Sequence, residues 1–317
     1  MEIIGRDVKG QDIIFLVSGG IGDQIAFQPV IKYAIDKYLS EDTISVVSDY
    51  DWIWQDITKH VYTKDNPCPA TNTSKIIDVY PINKPSSVDY QASHSTTFCS
   101  INLMRREIPL KFRQPNIEIK PEYFKNIPED MPYDKLFVFH PGKTWDSRTI
   151  SIEVWQSWID KVSEMGYKTA LIGKDMDVTI EGDNKVKKSA YSELKADYNF
   201  INKLKPLETC ALLSKSFALV TNDSGPLHMA GCYDNFIFAF CSTRIPEYLF
   251  TWRGKEYSQY YKAAHLEKDE LFYSVYDFNP FIQTGTDTAV GHPDQMKEVI
   301  PTVEEFEKII RNTISTY

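Results

Sequence analysis

The chain lacks a basic surplus. Its 35 Lys and Arg are outnumbered by 44 Asp and Glu, for a net charge of -9. Non-specific nucleic-acid binding needs a cationic footprint, so a broad nucleic-acid binder is excluded and only a local basic groove is left open. The five cysteines (Cys68, Cys99, Cys210, Cys232 and Cys241) are odd in number and form no CxxC pair, which speaks against a disulfide framework or a zinc site and for a reducing compartment. No apolar run approaches the roughly 18 residues that cross a bilayer. The first ten residues, MEIIGRDVKG, have no apolar core behind a basic start, so they do not read as a signal peptide. A cytoplasmic location without a transmembrane segment is expected. Internal repeats and low-complexity tracts are also missing.

What is present is an ordinary globular composition, 42% hydrophobic and 25% charged over 317 residues, long enough for two domains of roughly 150 residues. Aromatics reach 13%, enough for well-filled cores and for sugar or base pockets alike. The apolar run DIIFLVSG ending in glycines predicts a buried strand. A segment with helical period at Ile25, Val30, Ile31, Ala34, Ile35 and Tyr38 follows, then a second strand over 43–49. This is the opening of a parallel α/β sheet. The stretch 67–114 is rich in Pro, Ser, Thr and Asn and is weakly periodic; KIIDVYPI suggests a strand and STTFCSINLMRREI a helix. Prolines and charges at 119–134 mark a boundary, giving domains 1–125 and 126–317, with the last helix free to pack back on the first domain. Beyond it, strand and helix alternate again: KLFVFHPG, a helix capped by Ser151 and closed by Gly166, YKTALIG, PLETCALLSKS, FALVTND, GPLHMAGCY and NFIFAFCS. Strands separated by helices, twice over, predict two doubly wound sheets.

Three loops carry chemistry. In VTNDSGPLHMAG a strand ends in a polar turn (Asn222, Asp223, Ser224, Gly225) and a helix starts near Pro226, with His228 one turn in. Free amides there would make an anion site; the bland alternative is a helix cap with a core histidine. In HPGKTWDSRTI, Lys143 and Arg148 stand after another strand end and suit a diphosphate, or form an unremarkable solvated loop. The opening loop SGGIGD (Gly19, Gly20, Gly22, Asp23) is neither GxGxxG, since Ile25 stands where the third glycine belongs, nor a Walker loop, since no Gly-Lys-Ser/Thr follows. Its glycines admit a ligand close to the backbone. A diphosphate would not favour Asp23, which suits a hydroxyl as acceptor or general base; alone it would read as a first-turn carboxylate favoured by the helix dipole.

Together SGGIGDQIAFQPVIKYAI, FVFHPGKTWDSRTISIEVWQSWIDKVSEMGYKTALIG and VTNDSGPLHMAG…FIFAFCSTRIPE resemble, in order, the hallmark segments of glycosyltransferase family 9, the ADP-heptose:lipopolysaccharide heptosyltransferases. The resemblance covers about residues 12–50 and 135–250. It implies an α/β GT-B fold, two Rossmann-like doubly wound domains facing a cleft, with acceptor on the first and nucleotide-sugar on the second. It implies an inverting, metal-independent transfer with no cofactor beyond the co-substrate, Asp23 as base, and the donor diphosphate on Ser224, Gly225, Pro226 and His228 with help from Lys143 or Arg148. The pattern departs in two places. DSRTI replaces the family's basic residue before tryptophan. CSTRIPE replaces Gly-Pro-Thr-x-Pro, placing Arg244 as an extra cation near phosphate or sugar and leaving the donor's identity open. A lipopolysaccharide-type glycan, with peripheral membrane association, is the implied acceptor.

Two other readings remain. A viral-type glycosyltransferase acting on hydroxymethylated pyrimidines in DNA would use a local patch of Arg105, Arg106, Lys111 and Arg113, which otherwise reads as a solvated helix face. A non-catalytic nucleotide-sugar-binding protein or a Rossmann oxidoreductase is the alternative from another class; the missing third glycine disfavours the oxidoreductase.

Overall fold

Two α/β units make up the computed structural model: residues 1–118 with 247–257, and 119–246 with 258–317. The structure describes residues 12–39, 43–69, 74–79, 95–104, 108–142, 148–175, 177–179, 186–188, 191–240 and 300–315. Each unit is built on a parallel sheet, and both sheets follow one winding rule.

In the first unit β1 (Ile13–Val17) leads through helix α1 (Ile21–Tyr38) to β2 (Ile44–Ser48), then β3 (Val61–Tyr62) and β4 (Lys75–Asp78). The order across the sheet is β3-β2-β1-β4, with β1 parallel to both neighbours. The chain moves outward from β1 on one side, then returns to its other side, so a topological switch point lies at the carboxyl ends of β1 and β4. Strand β1 is apolar on both faces because both are covered: Phe15 on one face and Ile14 on the other are buried. Helix α1 runs through Pro29 without a break. The ring has no N–H for the carbonyl four residues back, and burial of Ala26, Phe27, Val30 and Ile31 around it offsets that loss. Helix α2 (Ser95–Met104) lies against α1 and ties to it through Thr96 Oγ1, which donates to Ala26 O at 3.1 Å.

The second unit repeats the scheme with β5 (Leu136–His140), α3 (Ile152–Glu164), β6 (Lys168–Leu171), β9 (Tyr198–Asn199), α4 (Pro206–Lys215), β10 (Ala218–Asn222), α5 (Gly225–Ala230) and β11 (Phe236–Phe240). Between β6 and β9 the chain makes a small antiparallel hairpin of β7 (Asp177–Thr179) and β8 (Val186–Lys188). The main sheet runs β11-β10-β5-β6-β9, and its switch point falls between β5 and β10. The sequence showed no sign of β3 and β9, because two-residue strands are too short to carry a period.

Local signals explain where α3 starts and stops. Ser151 Oγ accepts from Val154 N at 3.4 Å. Gly166 takes φ +88°, and its N–H reaches Ser163 O while Tyr167 N–H reaches Val162 O, the two bonds of a Schellman closure. The inner face of α3 buries Trp155, Trp158, Ile159 and Val162. The closing helix α6 (Val303–Ser315) belongs to this unit's core. Its Phe306 is fully buried, stacked on Trp158 at 4.7 Å and set against Phe240 at 6.1 Å. Among the described residues no helix is long and apolar enough to cross a membrane.

Gly166 separates conformation from contact. A Cβ there would meet nothing within 4 Å, so Gly166→Ala should cost only the left-handed backbone penalty, about 1–2 kcal/mol. Urea unfolding checks this; an unchanged midpoint would contradict the Schellman assignment.

Candidate functional site

The glycine-aspartate loop lies at the first unit's switch point. Gly19 takes φ +95°, a value that L side chains rarely adopt. The loop is shorter than its glycines suggest, because α1 already includes Gly22 in its first turn. Gly20 is the extended N-cap residue and has no side chain to cap with. Asp23 does that work from the third position: its Oδ2 accepts from Gly20 N at 2.9 Å. A carboxylate in the first turn also meets the positive end of the helix dipole. Asp23 is half-buried and stands directly beyond the carboxyl end of β1. Gly19, Gly20, Gly22 and Asp23 are thus brought together.

The second site gathers at the carboxyl ends of β5 and β10. Strand β10 ends at Asn222, 1% exposed, whose Nδ2 donates to Gly142 O at 2.8 Å and to Arg148 O at 2.7 Å. One side chain therefore pins both ends of the loop after β5. Asn222 Oδ1 is buried without a hydrogen-bond partner. Next in sequence, Asp223 forms an ion pair with Arg148, Nη2 to Oδ2 at 2.9 Å, and its backbone oxygen accepts from Arg148 Nη1 at 3.3 Å. The pair is close but poorly aligned, for Arg148 Nε and Asp223 Oδ2 are buried without a hydrogen-bond partner. Arg148, which the sequence places as a loop cation, is charge-paired with Asp223. Ser224 is the extended N-cap residue of α5, with Gly225 and Pro226 opening the helix and a buried His228 one turn in. Lys143 and Arg244 lie outside the described residues.

Sequence reasoning passed over His140. It ends the all-buried strand β5, pairs with Thr221 in the ladder, and shares its Nδ1 between Ser224 Oγ at 3.1 Å and Thr221 Oγ1 at 3.4 Å. The ring is wedged between glycines: a Cβ on Gly142 would stand 2.6 Å from Nε2, and one on Gly173, at φ +115°, 3.1 Å from it. Burial pushes the imidazole down to about 4, so it is neutral at physiological pH. The signal available was a histidine at the end of an otherwise apolar strand, directly before Pro-Gly.

Of the local basic patch, Lys111 is exposed and Arg113 is not solvated. Arg113 is buried, with Nε donating to Ile108 O at 3.0 Å; Arg105 and Arg106 lie outside the described residues. Cys99 and Cys210 are buried free thiols raised to about 12 by desolvation, which makes them poor nucleophiles. Among the described residues no three His, Cys, Asp or Glu side chains group to hold a metal ion.

Comparison with known proteins places this geometry. Residues 87–237 match the family model for glycosyltransferase family 9 (heptosyltransferase). That span holds the second and third of the three loops and not the Asp23 loop. No curated protein matches the sequence. Among solved structures, the chain is similar to a family 9 glycosyl transferase from Veillonella parvula, with TM-score 0.64 and 14% identity, covering 97% of this chain and 98% of that one. It is also similar to the dodecameric iron-containing glycosyltransferase TibC of enterotoxigenic E. coli (TM-score 0.63, 13% identity, 100% and 78% covered). A third is the E. coli ADP-heptose lipopolysaccharide heptosyltransferase II (TM-score 0.54, 14% identity, 75% and 86% covered). The likeness shows the fold, an α/β GT-B fold with two Rossmann-like units.

The buried histidine sets a pH dependence. Unfolded, His140 titrates near 6.5; folded, near about 4. Above 6.5 neither state holds the proton and stability is complete. As pH falls from 6.5 to 4 the unfolded chain is protonated first, so stability is lost, by about 3 kcal/mol in all. His140→Gln should flatten the urea midpoint across that window relative to wild type; an equal slope in both proteins would assign the titration elsewhere.

Proposed function

We propose that the chain is a family-9-type glycosyltransferase, as the match over residues 87–237 supports, and that it moves a sugar from a nucleotide-diphosphate sugar to an acceptor hydroxyl by single inverting displacement, without a metal ion, with Asp23 as general base. The observation that carries this is the placement of Asp23: a carboxylate in the first turn of α1, at the switch point where doubly wound sheets bind ligands, held by Gly20 N–H. The Gly20 N–H bond orients the carboxylate at the start of the helix. Inversion needs one base beside the acceptor and one means of stabilising the leaving diphosphate.

The donor is assigned to the second unit, on Ser224, Gly225, Pro226 and His228, with Asn222, Asp223, Arg148, Lys143 and Arg244 around them. Prearranged dipoles and cations can meet charge that develops on the diphosphate, and they need no reorganisation at the moment of reaction. The first unit is assigned the acceptor. TibC has been solved with ADP-D-beta-D-heptose, which makes ADP-heptose the first donor to try. A lipopolysaccharide-type glycan is the acceptor this reading favours, with a cytoplasmic enzyme working at a membrane surface.

Thermal shift across ADP-, UDP- and GDP-sugars identifies the donor, since a bound ligand raises the melting temperature by mass action. Asp23→Asn keeps an oxygen for Gly20 N–H and removes the proton acceptor. Release of nucleoside diphosphate should then fall roughly 10²- to 10⁴-fold, while the donor-induced thermal shift persists. Undiminished turnover in Asp23→Asn would overturn the base assignment.

A further inference from the structure

The residue after the proposed base is a buried glutamine. Gln24 is 1% exposed, on a helix face otherwise made of Ile25, Phe27, Ile31 and their neighbours. Burying a primary amide among apolar side chains costs free energy unless every polar atom is met, and here every one is. Oε1 accepts from Ser48 Oγ at 2.6 Å and from Trp54 Nε1 at 2.9 Å. Nε2 donates to Val17 O at 3.3 Å and, at 3.5 Å, to Gly19 O. An indole nitrogen can only donate, so Trp54 settles which end of the amide is oxygen. The other end is then a donor facing two carbonyls.

Those carbonyls flank Ser18, in the segment that joins β1 to α1. Gly19 O belongs to the same peptide unit as Gly20 N–H, which holds Asp23 Oδ2. A peptide between two glycines has no Cβ on either side to resist rotation, and Gly19 already sits at φ +95°. Rotation of that one plane would break both the contact from Gln24 and the bond to Asp23. Ser48 is itself held by Tyr50 N–H at 2.8 Å, so the amide is anchored to the end of β2 and to the Trp54 turn.

We infer that Gln24 is a positioning residue for catalysis: it locks the Gly19–Gly20 peptide plane, and through that plane it aims the Asp23 carboxylate. The role rests on the reading of Asp23 as the base. Its Oε1 satisfies the buried Ser48 hydroxyl and Trp54 indole N–H, and its Nε2 turns both hydrogens toward the end of β1 and the loop, one to Val17 O and one to Gly19 O.

The test measures ADP release from ADP-heptose by the full chain. Gln24→Met keeps the length and removes both donors together with the acceptor for Ser48 and Trp54. It should lower kcat roughly 10- to 100-fold and leave KM for ADP-heptose within about 3-fold. In an Asp23→Asn background the same substitution should cause no further loss, because an aimed group that is absent cannot be misaimed. Gln24→Glu gives a second readout should the methionine variant not fold. It keeps an oxygen for Ser48 and Trp54 but can donate to one of Val17 O and Gly19 O only when protonated, so its kcat relative to wild type should rise as pH falls. Gln24→Met with wild-type kcat, losses that multiply in the double variant, or Gln24→Glu with a wild-type pH profile would each overturn the role of Gln24. Full activity of Asp23→Asn alone would overturn the reading of Asp23 and this role with it.

Discussion

The winding of parallel strands is the constraint on which both candidate sites depend. A parallel sheet brings every crossover back to the same edge, so the loops that leave the strands all start at their carboxyl ends. Where the chain reverses its direction of travel across the sheet, two of those loops part and leave a crevice. The first sheet reverses between β1 and β4, the second between β5 and β10. The Asp23 loop leaves β1, the His140–Arg148 loop leaves β5, and the Asn222–Ser224 turn leaves β10. Chemistry-bearing residues far apart in sequence are therefore held at strand ends by apolar ladders such as Ala218–Phe137 and Val220–Phe139.

Each switch point is then fixed by buried amides and one buried imidazole. Gln24 and Asn222 are 1% exposed, and both donate to backbone carbonyls of the loop beside them. Gln28, one turn after Gln24, does the same for Ile53 O at 2.9 Å and accepts from Asn116 N at 2.8 Å. Loops lack the repeating ladder that secures strands and helices, and a side-chain amide supplies donor and acceptor in fixed geometry instead. His140 serves the second unit differently. Its ring fills the space that Gly142 and Gly173 leave open and reaches the Ser224 hydroxyl, which joins the end of β5 to the start of α5. The Arg148–Asp223 pair sits in the same place with imperfect alignment, and its unpartnered buried atoms mark it as the least satisfied part of the second site.

Much of this was legible in the sequence. Strand β1 and the start of α1 followed from an apolar run that ends in glycines. Helix α3 followed from its period, its Ser151 cap and its Gly166 stop, and the Asn222–Pro226 turn from its Asp-Ser-Gly-Pro chemistry. What stayed hidden was contact across the fold. Arg148 read as a loop cation because nothing in the sequence pairs it with a residue 75 positions away. Arg113 read as a solvated charge because its burial depends on tertiary packing. Gln24 and Gln28 are single polar residues in an apolar helix, where the period marks a core face and is silent on the amides that serve it. His140 was hidden by the simplicity of its strand.

The account turns on a single displacement, with one base on the acceptor side and a diphosphate leaving on the other. Stereochemistry tests that most directly. Proton NMR of the sugar released from ADP-heptose, recorded before mutarotation, should show the anomeric configuration opposite to the donor's. Retained configuration would require either two successive displacements or attack from the face the diphosphate leaves, and would contradict a single inverting displacement with Asp23 as base.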